Sequence, residues 1–185
     1  SASGGTPPYT GTGPVTGLAA GTYTYTVSDA NGCTANCSVT ITEASSLVAT
    51  CSVTTNVSCN GGNDGAADVS ASGGTPPYTG TGPVTGLAAG TYTYTVSDAN
   101  GCTANCSVTI TEPSELMISC GALNNVSCNG GSDGSASVDA SGGTPPYTGT
   151  GNFNGLAAGI YTYTVSDANG CTANCSVTIT EPSAL

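Results

Sequence analysis

The sequence predicts an all-β protein built from small tandem β-sandwiches stapled by disulfides. Three observations predict it. β-Branched and aromatic residues alternate with Thr and Ser at a period of two, the pattern of half-buried strands. No segment has helical periodicity. Ser3-Gly4-Gly5-Thr6-Pro7-Pro8-Tyr9 returns at Ser72 and again at Ser141, at equal intervals that define a 69-residue period.

The elements follow in order within one repeat. Leu47, Ala49, Cys51, Val53, Val57 and Cys59 share one parity and open the repeat. Asn60-Gly61-Gly62-Asn63-Asp64-Gly65 is a turn signal, and Gly73-Gly74-Thr75-Pro76-Pro77 makes the next corner. A hairpin follows, seen first at Tyr23, Tyr25 and Val27, with Thr22, Thr24 and Thr26 on the opposite face. Asp29-Ala30-Asn31-Gly32 supplies its tight turn, and Cys33, Ala35, Cys37, Val39 and Ile41 share one face of the return strand. Every cysteine thus lies in the apolar register of its strand, which suits buried bridges. Six or seven short strands in about 70 residues predict a small sandwich of immunoglobulin-like type. A core that small is marginal, and disulfides compensate.

Residues 1–43 and 70–112 are identical, and residues 139–181 differ from them at Asp139, Asn152, Phe153, Asn154 and Ile160. The expected organisation is a partial repeat over 1–44, complete repeats over 45–113 and 114–182, and the start of another at 183–185. The N-terminal Ser1–Gly5 has neither the basic start nor the apolar core of a signal peptide. The expectation is therefore a segment of a longer tandem array, or a chain whose leader has been removed.

Composition narrows the function. Among 185 residues there is no Lys, Arg or His, against 11 Asp plus Glu, giving a formal charge of −11. No basic patch exists to neutralise phosphates, which argues against nucleic-acid binding. Most general-base and nucleophile-activating arrangements have no parts to draw on. No apolar run approaches the roughly 20 residues that span a bilayer, so no membrane insertion is expected. Ten cysteines at recurring spacing, with no His for a mixed metal site, favour disulfides in an oxidising, extracellular compartment. A four-thiolate zinc site drawing on Cys33-x3-Cys37 is the competing reading.

These residues resemble the SprB-type repeat, found in very long cell-surface adhesins of gliding and related Bacteroidota. The resemblance is carried, in order, by Asn56-Val57-Ser58-Cys59-Asn60-Gly61-Gly62-Asn63-Asp64-Gly65, Gly73-Gly74-Thr75-Pro76-Pro77-Tyr78, Gly86-Leu87-Ala88-Ala89-Gly90-Thr91-Tyr92, and Asp98-Ala99-Asn100-Gly101-Cys102 running into Val108-Thr109-Ile110-Thr111-Glu112-Pro113. It implies secreted, surface-exposed tandem domains acting as a stalk or adhesive surface, without catalysis. The chain departs from the usual pattern in its short Gly-rich stretch Thr79-Gly80-Thr81-Gly82 and in its extra cysteines. The family-like pair is Cys59 with Cys102; Cys51 and Cys106 are additions. The resemblance thus favours Cys59–Cys102 with Cys51–Cys106, and Cys128–Cys171 with Cys120–Cys175. If the first and last strands of a repeat run parallel, this nesting is awkward, and bonds between adjacent repeats such as Cys59–Cys171 compete with it. Cys33 and Cys37 lack partners in their own repeat under either scheme.

Other candidate sites have plain alternatives. Asn60, Asn63, Asp64 and Asp68 form an oxygen-rich loop of the kind calcium uses. However, the spacing is not that of an EF-hand, and an ordinary turn capped by Asn and Asp fits better. Five Asn-x-Ser sequons, at Asn36, Asn56, Asn105, Asn125 and Asn174, fall on the polar parity, and 53 Ser and Thr residues offer further hydroxyls for sugars. Tyr9, Tyr78 and Tyr147 recur after Pro-Pro corners; such a row stacks on sugar rings in some proteins, though a tyrosine packing its own domain edge is the commoner case. Glu43, Glu112 and Glu181 lie about one repeat apart, too far for a carboxylate pair of a glycosidase.

The expected function is a non-catalytic, extracellular fibre or adhesin stalk that self-associates through neighbouring repeats or chains. The alternative is multivalent adhesion to surface polysaccharide. No cofactor is expected, calcium at the joints being the one candidate.

Overall fold

The computed structural model describes residues 1–185 and contains twelve strands and no helix. A hairpin of β1 (Gly21–Ser28) and β2 (Thr34–Ile41) comes first. Then β3 (Val48–Thr55), β4 (Gly65–Ser72) and β5 (Gly82–Leu87) form an antiparallel sheet with β4 in the centre. A second hairpin, β6 (Gly90–Ser97) and β7 (Thr103–Ile110), accompanies that sheet. The same five-strand group recurs as β8 (Met117–Asn124), β9 (Gly134–Ser141) and β10 (Gly151–Leu156), followed by β11 (Gly159–Ser166) and β12 (Thr172–Ile179). Each strand from β8 to β12 begins at the same offset from its counterpart among β3 to β7.

Alternation builds the hairpins as the sequence requires. Tyr94 stands opposite Cys106 and Tyr92 opposite Val108 on the inner face, while Thr93 faces Ser107 and Thr91 faces Thr109 on the outer one. The Thr91 and Thr109 hydroxyls share a hydrogen bond of 3.0 Å, a cross-strand pair that holds the wet face without apolar surface.

β3 and β7 pack side by side in the same direction. Cys51 is bonded to Cys106 with Cα atoms 5.6 Å apart. Further along the chain from β3, the Val57 amide donates to the Thr111 carbonyl at 3.0 Å. The contacts advance together along both segments, which is the signature of a parallel pair.

Each five-strand group has its own core. Val57, Ala67, Leu87, Val108 and Ile110 form the first, with Cys51, Val84, Tyr92 and Tyr94 packed against it. Val126, Ala136, Val177 and Ile179 form the second. The approach is close at the start of β4: a Cβ on Gly65 would lie 2.7 Å from Ile110 Cγ2 and 2.7 Å from the Leu87 carbonyl oxygen. Glycine is therefore the residue that lets β4 meet β7 here.

The structure has five strands per group where the sequence predicts six or seven. The stretch around Pro76-Pro77 makes only an isolated bridge, Thr79 to Ser97. Two prolines without N–H groups and the glycines after them cannot sustain a ladder. Each group is a three-stranded sheet plus a two-stranded hairpin.

Identical residues meet different surroundings in the first hairpin. Val39 in β2 is 44% exposed, whereas Val108, at the same place in β7, is 7% exposed. No three-stranded sheet packs on β1 and β2, so Tyr25, Val27, Cys37, Val39 and Ile41 line an open groove. Ile110→Ala should therefore lower unfolding stability by about 2–5 kcal/mol. Val39→Ala should change it by no more than about 0.5 kcal/mol. Guanidinium unfolding under non-reducing conditions checks both.

Candidate functional site

Two recurring local structures occupy opposite ends of each five-strand group. At one end is the turn of the long hairpin. Asp98 Oδ1 accepts the amide hydrogens of Asn100 and Cys102, each at 2.9 Å, and Oδ2 accepts that of Thr75 at 2.9 Å. Asn100 Nδ2 donates to Thr75 Oγ1, tying the turn to the Pro-Pro corner. Gly101 closes the turn at φ +80°. Asp98 is buried, and its carboxyl is held below the usual carboxylate range, first by the Thr75 amide and then by those of Cys102 and Asn100. Asp29 and Asp167 hold their own turns in the same way, with the same depression.

At the other end is the loop from Asn56 to Asp64. Asp64 accepts the Ser58 hydroxyl at 2.6 Å and the Ser58 amide at 2.9 Å, and these two bonds lower its pKa. Glu112 Oε2 accepts the Gly61 amide at 2.6 Å, and Asn60 Nδ2 donates to the Pro113 carbonyl. Glu181 and Asn129 repeat the clamp on the next loop, on Gly130 and Pro182. In a chain without a single basic side chain, every one of these carboxylates is satisfied by N–H and O–H donors.

The two ends meet between groups. Cys59 of the first loop is bonded to Cys171 of the second group's turn, with Cα atoms 5.7 Å apart. Beside it Asn169 Nδ2 donates to the Ser58 carbonyl at 2.8 Å. Turn and loop thus form a joint made of one covalent bond and one hydrogen bond, its halves drawn from residues 58–59 and 169–171.

This arrangement corrects part of the cysteine pairing favoured by the resemblance. Cys51–Cys106 and Cys120–Cys175 are bonded within their groups. Cys59 does not pair with Cys102, nor Cys128 with Cys171; Cys102 and Cys128 are exposed free thiols. The parallel run of β3 and β7 is the reason. Cys59 follows Cys51 in the chain, while Cys102 precedes Cys106. At about 3.3 Å per residue those offsets place Cys59 and Cys102 at opposite ends of the group. Cys33 and Cys37 are also free and exposed. The apolar register therefore buries only bonded cysteines: the six that pair are half-buried, the four that do not are on the surface.

The remaining candidates fall as follows. No three acidic or Cys side chains gather as a metal-ligand set. Asp64 is engaged with Ser58, Asn60 donates to Pro113, Asn63 is exposed, and Asp68 faces outward from β4. Asn36, Asn56, Asn105, Asn125 and Asn174 are all exposed. Asn56 and Asn125 each use their side-chain oxygen to accept a backbone amide, from Thr111 and Thr180. Tyr9, Tyr78 and Tyr147 are half-buried, and each hydroxyl donates at 2.6 Å to a carbonyl of its own corner, at Gly4, Gly73 and Gly142. Sequence reasoning missed the Glu112 clamp and the role of the Ser58 carbonyl. A signal for the clamp was present, since Gly61 and Glu112 recur together as Gly130 and Glu181.

The sequence model of the SprB repeat family matches residues 51–79 and 121–148. Both stretches are similar to the SprB repeat. The two matches span equivalent segments, each running from the first strand of a group through the Asn-Gly-Gly loop to the Pro-Pro-Tyr corner. The SprB repeat is a structural repeat of cell-surface proteins rather than a catalytic family, and the disulfides fit an extracellular location. No curated protein matches this chain.

Two measurements follow from this joint and its turns. The native chain should expose four labelable thiols, at Cys33, Cys37, Cys102 and Cys128. Cys59→Ser should add Cys171 to that set while both bonds within groups persist, as read by alkylation and mass spectrometry without reduction. The depressed carboxylates stabilise the fold above the ordinary Asp value of about 3.9, and that contribution disappears as pH falls through the lowered folded values. The melting temperature should therefore be flat at neutral pH and drop in acid. Asp98→Asn and Asp167→Asn should lower it at pH 7 and weaken its acid dependence.

Proposed function

We propose that the chain is a structural segment of an extracellular bacterial fibre or adhesin stalk, of the Bacteroidota type, in which 69-residue repeats are joined end to end. The joint between loop and turn carries this reading. It links consecutive groups through opposite ends, so groups add along one direction. The linker agrees with it: β8 continues from β7 after Thr111–Leu116, a connection too short to fold back far. The carboxylates of the site hold backbone amides and its disulfides cross-link strands and groups, which supports a structural role.

Each repeat contributes about 30–40 Å of length, from eight-residue strands at about 3.3 Å rise plus turns. Exposed Thr and Ser rows and the five exposed Asn residues supply attachment points for a sugar coat, which adds solubility and protease resistance. Neither a cofactor nor calcium is required, because the joint is closed by a covalent bond.

The competing proposal is multivalent polysaccharide binding through the tyrosine row. Tyr9, Tyr78 and Tyr147 are only half-buried, but their hydroxyls are tied to their own corners. That favours a role in holding the corner. Electron microscopy of unreduced material tests the structural reading. Straight rods whose axial spacing equals the length of one repeat are expected; flexible beads with no fixed spacing would overturn it, and binding on a glycan array would then favour the adhesive alternative.

A further inference from the structure

We propose that Asn154-Gly155 is a self-modification site, at which the chain converts Asn154 to aspartate or isoaspartate without an enzyme. The proposal does not depend on the end-to-end reading above.

The chemistry uses only the chain and water. The Gly155 backbone nitrogen loses its proton and attacks Asn154 Cγ. A bond forms between that nitrogen and Cγ, the Cγ–Nδ2 bond breaks, and ammonia leaves. The product is a succinimide ring. Water opens the ring at either carbonyl and leaves a carboxylate. One opening restores the original backbone as aspartate; the other leaves the backbone running through Cγ, as isoaspartate. Glycine favours this reaction because it has no side chain to block the closing ring and its backbone rotates most freely.

The chain has six Asn-Gly pairs, and five of them are held at both reacting groups. In the three Asp-Ala-Asn-Gly turns, Nδ2 of Asn31, Asn100 and Asn169 donates to Oγ1 of Thr6, Thr75 and Thr144. The amides of Gly32, Gly101 and Gly170 donate to the carbonyls of Asp29, Asp98 and Asp167, each at 3.1 Å. In the two loops, Nδ2 of Asn60 and Asn129 donates to the carbonyls of Pro113 and Pro182. The amides of Gly61 and Gly130 donate to Glu112 at 2.6 Å and Glu181 at 2.7 Å. A bonded Nδ2 pins the side-chain amide away from ring closure. A bonded Gly N–H keeps its orientation, and a carboxylate acceptor also opposes loss of its proton by like charge.

Asn154-Gly155 is the sixth pair, and it lies in β10, the outer strand of its sheet. Thr85 stands at this place in β5, so the second group alone has the pair. Asn154 is exposed, and its side chain makes no hydrogen bond. Gly155 is exposed as well and is the extra residue of a β-bulge. Asn154 pairs with Ser135 and Leu156 with Gly134, while Gly155 has no partner on β9. A Cβ built on Gly155 would meet only the Ser132 carbonyl oxygen, at 3.9 Å, so the ring has room. A regular ladder resists ring closure by fixing the backbone on both sides of the asparagine. The bulge on a free edge removes that restraint.

The product alters the second group. Either form adds a negative charge, and isoaspartate also adds a backbone carbon beside the bulge. Leu156, two residues on, packs against the second core. Aged protein therefore carries a loosened edge in the second group and not in the first.

The test incubates the full 185-residue chain, unreduced, in mildly alkaline buffer. Peptide mapping follows each Asn-Gly pair by the mass difference between amide and acid, with isoaspartate resolved by its separate elution. Asn154 should convert at least about tenfold faster than any of the other five, since releasing two hydrogen bonds adds a barrier of that order. In the reduced, denatured chain all six should convert at comparable rates. Glu112→Ala frees the Gly61 amide, so Asn60 should speed up several-fold while Asn129, still clamped by Glu181, does not; an intact Cys59–Cys171 bond shows that this variant is folded. Asn154→Thr, which installs the residue of β5, should leave the native chain without a fast site. A tethered pair converting as fast as Asn154 in the native chain, Asn154 reacting only after denaturation, or an Asn60 rate unmoved by Glu112→Ala would overturn the proposal. None of these outcomes bears on the end-to-end reading.

Discussion

The parallel alignment of the first and last strands of each five-strand group governs the rest of the structure. Cys51–Cys106 and Cys120–Cys175 fix that alignment covalently. Because the strands run the same way, the loop that follows the first and the turn that precedes the last lie at opposite ends. A group therefore has a head and a tail, and its second pair of cysteines cannot meet inside it. They meet across the boundary instead, as Cys59 and Cys171. An antiparallel arrangement would instead have put that loop and that turn at the same end of the group.

Stability has to come from sources other than a large apolar core. Each group buries only a handful of small aliphatic side chains, among them Val57, Ala67, Leu87, Val108 and Ile110. Cross-links make up the difference. The bonds within groups and the longer-range joint bond each remove on the order of 4 kcal/mol of unfolded-chain entropy. The acidic side chains complete the framework. With no Lys or Arg available, Asp98, Asp64 and Glu112 are held by amides and a hydroxyl, so each organises a turn or loop rather than an ion pair. Salt should consequently weaken these contacts less than it weakens exposed ion pairs.

The first hairpin shows how much of this depends on neighbours. β1 and β2 have the sequence of β6 and β7, the same register and the same Asp-centred turn. What they lack is the sheet against which Val39 and Ile41 would be buried. Secondary structure survives that loss because the hairpin is local. Core packing does not, because it is made between elements.

Period-two alternation and turn chemistry by themselves determined much of the protein: the all-β class, the hairpins, the Asn-Gly-Gly loop and the Asp-Ala-Asn-Gly turn. These are legible because each depends on residues close in sequence. The exposed sequons and the self-contained corner tyrosines were legible for the same reason. Only the tertiary structure decided which cysteines pair, since Cys59 and Cys102 have the same parity and spacing whichever way the strands run. It also decided that the Pro-Pro segment contributes a single bridge and that Glu112 serves the distant Gly61 loop. Strand direction and contact between distant segments are properties of packing, and a one-dimensional pattern of alternation does not encode them.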